Sequence, residues 1–120
     1  MRLTRIVTLI VASCAAAQTA QAAPSLQNKH EVTMYSAQWC PPCRKAERWF
    51  QCIGQPVDHR DIDKDVTSGQ RYKQLKGWSL PLLFVDGVRM DGFQEKLLID
   101  LLGKGEAQPV RDHLLACIHG

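Results

Sequence analysis

Long apolar runs, a strong charge of either sign, internal repeats and a second close cysteine pair are all missing from this 120-residue chain. No apolar stretch reaches the roughly 20 residues that span a bilayer, which argues against a transmembrane anchor. Lysine and arginine total 15 against 12 acidic residues, too small a surplus to point to nucleic acid or anionic lipid. The absence of repeats and low-complexity tracts excludes a solenoid or a biased, unfolded chain. His30, His59, His113 and His119 show no ligand spacing, so each reads as an exposed or core histidine. Trp49 reads as packing.

The N-terminus carries its own pattern. Met1 to Arg5 has two arginines and no acid, Ile6 to Ala17 is almost wholly apolar, and Ala20-Gln21-Ala22 supplies the small-x-small pattern favoured by signal peptidase. Residues 1–22 therefore read as a secretory signal cleaved after Ala22, and the mature chain is expected in the periplasm or outside the cell. Val11-Ala12-Ser13-Cys14 loosely matches a lipobox, which makes a lipoprotein anchored through Cys14 the minority alternative. Cleavage after Ala22 leaves 98 residues, enough for one small domain. It also removes Arg2 and Arg5, leaving 13 basic residues against 12 acidic.

Residues 23–30 form a short polar lead-in. Glu31 to Ser36 alternates as a first strand, and a helix should begin at Pro41-Pro42, where a missing N–H costs nothing. Cys43, Ala46, Phe50 and Ile53 share one face of that helix, and Gly54 ends it. Val57 to Ile62 reads as a strand, Asp63 to Thr67 as the cap of a helix ending near Leu75, and Pro81 to Val85 as a buried strand. Asp86-Gly87 predicts a hairpin into Val88 to Met90. Gln94 to Leu102 and Pro109 to Ile118 close the chain as helices. Strands joined through helices, with a hairpin at the end, predict an α/β fold: a four-stranded mixed sheet with helices on both faces.

Chemistry concentrates at "SAQWCPPCRKAERWF", Ser36 to Phe50. Two thiolates at Cys-x-x-Cys spacing suit zinc as well as disulfide exchange. A zinc clip usually brings a second close pair, whereas Cys52 and Cys117 stand 65 positions apart. The redox reading uses the strand-to-helix turn, where free backbone N–H groups and the helix dipole favour a thiolate at Cys40. Cys40 is then the nucleophile and Cys43, one turn on, the resolving thiol. Pro41 and Pro42 remove two N–H donors from that turn. Arg44 and Lys45 lie near enough in sequence to add a smaller field, or to point into solvent. Leu80-Pro81 precedes an apolar strand. Taken locally, a trans proline opening an edge strand explains it better than a cis bond closing a turn beside the thiol.

Together, "VTMYSAQWCPPCRKA", the "DID" of Asp61 to Asp63, "YKQLKGWSLP", "LLFVDG" and "DGF" resemble the glutaredoxin branch of the thioredoxin superfamily, over Val32 to about Leu102. The resemblance implies a thioredoxin/glutaredoxin-like three-layer fold: a glutaredoxin-like domain at 31–103 and a C-terminal helical extension at 104–120. It implies a thiol-disulfide oxidoreductase using Cys40 and Cys43, a cis Pro81, backbone groups at Leu80 for an extended substrate, and a groove bordered by Gly92 and Phe93. Trp39 and Trp78 fit the same groove, with Pro41 and Pro42. That topology also suggests that the extension folds back to bring Cys117 to Cys52 as a structural disulfide, two free buried cysteines being the alternative. Met34 stands where thioredoxins carry an acid, so glutaredoxin is the closer relative. Asp91-Gly92-Phe93-Gln94-Glu95 replaces the Gly-Gly-x-Asp-type stretch of glutathione-holding members, which counts against glutathione as reductant without removing it.

No bound cofactor or metal is expected. The expected partners are disulfide-containing proteins and a membrane or periplasmic electron donor, with no nucleic acid and a monomeric state. The reductase direction is preferred because no histidine lies between the cysteines. A metal-binding or assembly protein for zinc or copper on the same scaffold is the non-enzyme alternative.

Overall fold

The computed structural model describes residues 24–120; the segment read as a signal, with Cys14, lies outside them. Eight elements follow in the order β1 (Val32–Ser36), α1 (Pro41–Ile53), β2 (Asp58–Asp61), α2 (Val66–Gln74), β3 (Leu82–Val85), β4 (Val88–Asp91), α3 (Glu95–Gly103) and α4 (Gln108–His119). The sheet order is β2-β1-β3-β4. β1 runs parallel to β2 across the α1 crossover and antiparallel to β3, and β3 pairs antiparallel with β4. The result is the four-stranded mixed sheet with flanking helices expected from the order of elements, in the thioredoxin-like arrangement that the resemblance implies, with a C-terminal helix. Among the described residues no helix is long and apolar enough to cross a membrane.

The pleat separates two interiors. Val32, Met34, Leu83, Val85 and Met90 meet Phe50, Ile53, Leu98, Leu102 and Leu114 in the main core beneath α1, α3 and α4. On the opposite face Tyr35 lies 6.3 Å from Tyr72 of α2 and 6.5 Å, edge-on, from Phe84. Both faces of β1 are therefore covered, and its alternation shows only weakly in burial: Tyr35 and Ser36 are buried beside Val32 and Met34. Strands covered on both faces lose the apolar-polar contrast that marks a one-sided sheet.

Local chemistry fixes the connections. Gly54 takes a left-handed φ of 70° after α1, and its N–H and that of Gln55 donate to the carbonyls of Gln51 and Phe50. Asp65 caps α2 by accepting from the Ser68 N–H at 3.2 Å. At the β3-β4 hairpin Asp86 and Gly87 both have positive φ, as a type I′ turn requires. The Asp86 carboxylate also accepts from the Glu31 N–H at 2.8 Å and contacts His30 Nδ1 at 2.6 Å. Both interactions hold its pKa below the usual carboxylate range, the His30 contact contributing most. The lead-in before β1 has no regular structure, yet Glu106, itself buried, accepts from the N–H groups of Gln27 and Asn28.

Candidate active site

β1 ends in a turn that delivers Cys40 to the first position before α1. The Cys40 N–H donates to the Ala37 carbonyl at 3.2 Å, and Cys40 is the N-cap of α1, with Pro41 and Pro42 filling the first two helical positions. Its Sγ accepts from the Cys43 N–H at 3.2 Å. With both prolines lacking a donor, that is the first N–H of the helix to face the sulfur. Cys40 and Cys43 are joined as a disulfide, their Cα atoms 5.3 Å apart.

The two sulfurs have different surroundings. Cys43 is 0 % exposed and packs with Ala37, while Cys40, 3 % exposed, forms part of the floor of an open groove that Cys43 does not line. Pro41, Ile62, Tyr72 and Leu80 continue that floor, and Trp39 and Trp78 rise from it, 69 % and 77 % exposed. Trp39 is oriented by its indole N–H, which donates to Asp63 at 2.7 Å. The Tyr72 hydroxyl donates to the Ser79 carbonyl at 3.0 Å, and burial raises its pKa. A second hollow begins on the other side of Pro41, Pro42 and Leu80 and is bounded by Lys45, Gly92 and Phe93.

The Leu80-Pro81 peptide is cis, and the Pro81 carbonyl accepts from the Gly92 N–H at 2.8 Å. Gly92 holds a φ of 87°, a conformation that favours glycine. Phe93 lies edge-on to Trp49 at 6.0 Å, and the Lys45 ammonium sits 5.8 Å from its ring centre. Of the groove residues named from sequence, Trp39, Pro41, Pro42, Trp78 and Leu80 line the groove that contains Cys40, Gly92 and Phe93 border the second hollow, and Pro81 lines neither. Arg44 and Lys45 are committed elsewhere. The Arg44 guanidinium donates to the Gln38 carbonyl at 2.9 Å through Nε, and Lys45 pairs with Glu95.

At the far end of α1, Cys52 is bonded to Cys117 of α4, with Cα atoms 5.8 Å apart. Trp49 reinforces the same junction, its buried indole N–H donating to the Leu114 carbonyl at 3.0 Å. Sequence reasoning missed several residues here. Ile62 and Tyr72 complete the groove floor but carry no motif of their own. His113, read as a lone histidine, lies one helical turn before Cys117, with Nε2 3.7 Å from its Sγ. The i, i+4 spacing of His113 and Cys117 was the available signal.

Residues 32–90 match the family model for glutaredoxin. Among solved structures, a thioredoxin-like protein aligns with TM-score 0.55 and 26% identity over 60% of this chain and 100% of its own. A point mutant of that protein aligns with TM-score 0.56, again at 26% identity, over 61% of this chain and 95% of its own. The glutaredoxin of Archaeoglobus fulgidus aligns with TM-score 0.52 and 22% identity, covering 63% of this chain and 89% of its own, and bears on the fold alone. No curated protein sequence matches the chain. The match to the glutaredoxin model over residues 32–90, together with a Cys-x-x-Cys pair at the start of α1, supports a thiol-disulfide redox function in general terms.

Proposed function

We propose that this chain is an exported thiol-disulfide oxidoreductase that acts on disulfides in proteins or small molecules, with Cys40 attacking and Cys43 resolving. One observation carries the assignment of roles: Cys40 opens onto the groove and Cys43 does not. In the reductase direction the Cys40 thiolate attacks one sulfur of a substrate disulfide. A Cys40-substrate disulfide forms, and the second substrate sulfur leaves as a thiolate. Cys43, deprotonated in the same step, then attacks Cys40 Sγ and expels the remaining substrate thiolate. The substrate gains two electrons, one proton from Cys43 and one from solvent, and the enzyme holds the Cys40–Cys43 disulfide until a reduced donor restores it.

The groove supports an extended polypeptide as substrate. Its floor is apolar, its two tryptophans are presented to solvent, and Leu80, whose backbone the resemblance assigns to an extended substrate, lines it with Cys40. The donor is proposed to be a protein dithiol on the membrane or in the periplasm rather than glutathione, because Phe93 packs on Trp49 where a glutathione-holding stretch would lie.

Insulin reduction tests the assignment: wild type should be active, Cys40→Ser inactive, and Cys43→Ser should accumulate mixed disulfides with substrate. Activity retained by Cys40→Ser would overturn the roles given to the two sulfurs. Stoichiometric metal in the purified protein with no reducible Cys40–Cys43 bond would favour a metal-binding scaffold instead. Export predicts that the mature protein begins at Ala23, which intact-mass measurement on protein from the native host would check against a chain lipidated at Cys14.

A further inference from the structure

We propose that Cys52, His113 and Cys117 form a zinc site that exists only when the Cys52–Cys117 disulfide is reduced. The inference does not depend on the roles assigned to Cys40 and Cys43. Its ground is a side-chain cluster at the opposite end of α1. The two sulfurs and one imidazole nitrogen come from two helices, and all lie within 4.8 Å of one another.

The geometry is close to that of a metal site. Zinc bonds of about 2.3 Å to sulfur and about 2.0–2.1 Å to nitrogen, at tetrahedral angles, put a coordinated nitrogen and sulfur about 3.6 Å apart. His113 Nε2 and Cys117 Sγ are already 3.7 Å apart. The i, i+4 spacing on α4 sets that distance, because residues four apart stack on one helix face. The two sulfurs, bonded to each other in the oxidised chain, would have to part to about 3.8 Å in the same coordination. Their Cα atoms stand 5.8 Å apart on separate helices, so the separation needs side-chain rotation more than backbone travel. His113 Nε2 also lies 3.3 Å from the Cys52 carbonyl oxygen, a contact it would exchange for the metal. Cys52 is exposed, which leaves the fourth coordination position open to water.

The chemistry selects the ligand. Two thiolates and one imidazole suit zinc over a hard cation such as magnesium or calcium, and the two thiolate charges neutralise the ion. Oxidation state decides whether the site exists. A dithiol reductant opens the bond by exchange: its first thiolate attacks one sulfur and forms a mixed disulfide, and its second closes it. Two electrons and two protons pass to Cys52 and Cys117, and the reductant leaves as a disulfide. Zinc then displaces both thiol protons as it binds.

The test uses the full chain with Cys14→Ser, Cys40→Ser and Cys43→Ser, so that no other thiol competes. The protein is reduced with a phosphine under anaerobic conditions and titrated with Co2+ as a spectroscopic stand-in. One Co2+ per chain is expected, with an intense near-ultraviolet thiolate-to-metal band that Zn2+ abolishes. The unreduced protein should show none. Adding Cys52→Ser should remove the band, and His113→Gln should weaken binding at least as much as the roughly 10–100-fold that losing an outer-shell partner costs. A folded, reduced chain that gives no band, or binding indifferent to His113→Gln, overturns the proposal. If circular dichroism shows the reduced chain unfolded, Zn2+ must restore the helical signal, and failure to do so overturns it equally.

Discussion

Breaking the bond between α1 and α4 gives the sharpest test of what holds the C-terminal helix in place. Cys52 and Cys117 close a loop with a sequence separation of 65. In the chain-entropy description, cross-linking a loop of that length removes about 4 kcal/mol of freedom from the unfolded chain. Replacing both cysteines by alanine removes little packing in the folded state, because Cys52 is exposed and Cys117 only half-buried. The noncovalent junction also survives: Leu114 stays in the core, and Trp49 still donates to its carbonyl. The folded double variant should therefore keep its helix content while losing about 4 kcal/mol. With a urea m-value of about 1–1.5 kcal/mol/M for a domain of this size, the midpoint should fall by roughly 3 M. The measurement is urea unfolding followed by circular dichroism, without reductant, so that the Cys40–Cys43 bond is the same in both proteins. A loss below about 1 kcal/mol would refute the reasoning, since it would mean either that the bond does not form in solution or that the unfolded chain is already compact enough to gain nothing from it.

Three further outcomes follow from other contacts. A Cβ added at Gly69 would lie 2.6 Å from the Ile62 carbonyl oxygen, so Gly69→Ala should push α2 away from β2 and cost about 1–3 kcal/mol, read as a lower melting temperature; an unchanged value would show that α2 slides freely. Trp49→Phe leaves the Leu114 carbonyl without its buried donor and should cost about 1–3 kcal/mol in denaturant unfolding, and a neutral result would mean that water reaches that carbonyl. Asp86 is held below the ordinary carboxylate range by His30 and the Glu31 N–H, so its stabilising contribution is complete above that range and disappears as pH falls through its lower folded value. Asp86→Asn should accordingly flatten the acid limb of a pH-unfolding curve monitored by circular dichroism, and an acid limb identical to wild type would remove Asp86 from the account.

The architecture was largely legible because the local signals agreed with one another. Proline at the start of α1, Gly54 at its end and Asp86-Gly87 at the hairpin each require one backbone geometry, and the elements lie within a residue or two of where those signals put them. The Leu80-Pro81 bond was not legible locally. Read alone, it favoured a trans proline on an edge strand, and only the resemblance pointed to the cis form that the structure contains. The groove was legible in part. Trp39 and Pro41 flank Cys40 in the chain, whereas Ile62 reaches it from the turn after β2 and Tyr72 from α2, through tertiary packing that no spacing encodes. The same limit hid the neighbourhood of His113. Its turn-to-turn relation to Cys117 is local, but Cys52 arrives from another helix.

The two prolines bear on the proposed direction of electron flow through a count of donors. A thiolate before a helix ordinarily faces several free N–H groups, and each hydrogen bond to it favours the ionised, reduced state. At Cys40, Pro41 and Pro42 remove the first two, and the Cys43 N–H is the donor that reaches Sγ. Arg44 and Lys45, the nearest cations in sequence, are tied to the Gln38 carbonyl and to Glu95. The reduced dithiol is thus less stabilised than it would be with a full first turn of donors, and a dithiol whose reduced form is poorly stabilised gives up electrons more readily. This is the physical ground for the reductase direction. It makes the Pro41 and Pro42 positions, rather than the surrounding charges, the place where substitution should make the couple more oxidising: Pro42→Ala restores an N–H beside Cys40 and should raise the potential measured against glutathione, whereas Arg44→Ala should leave it almost unmoved. A potential that shifts with Arg44 and not with Pro42 would place the control in the charge field and undo the donor count.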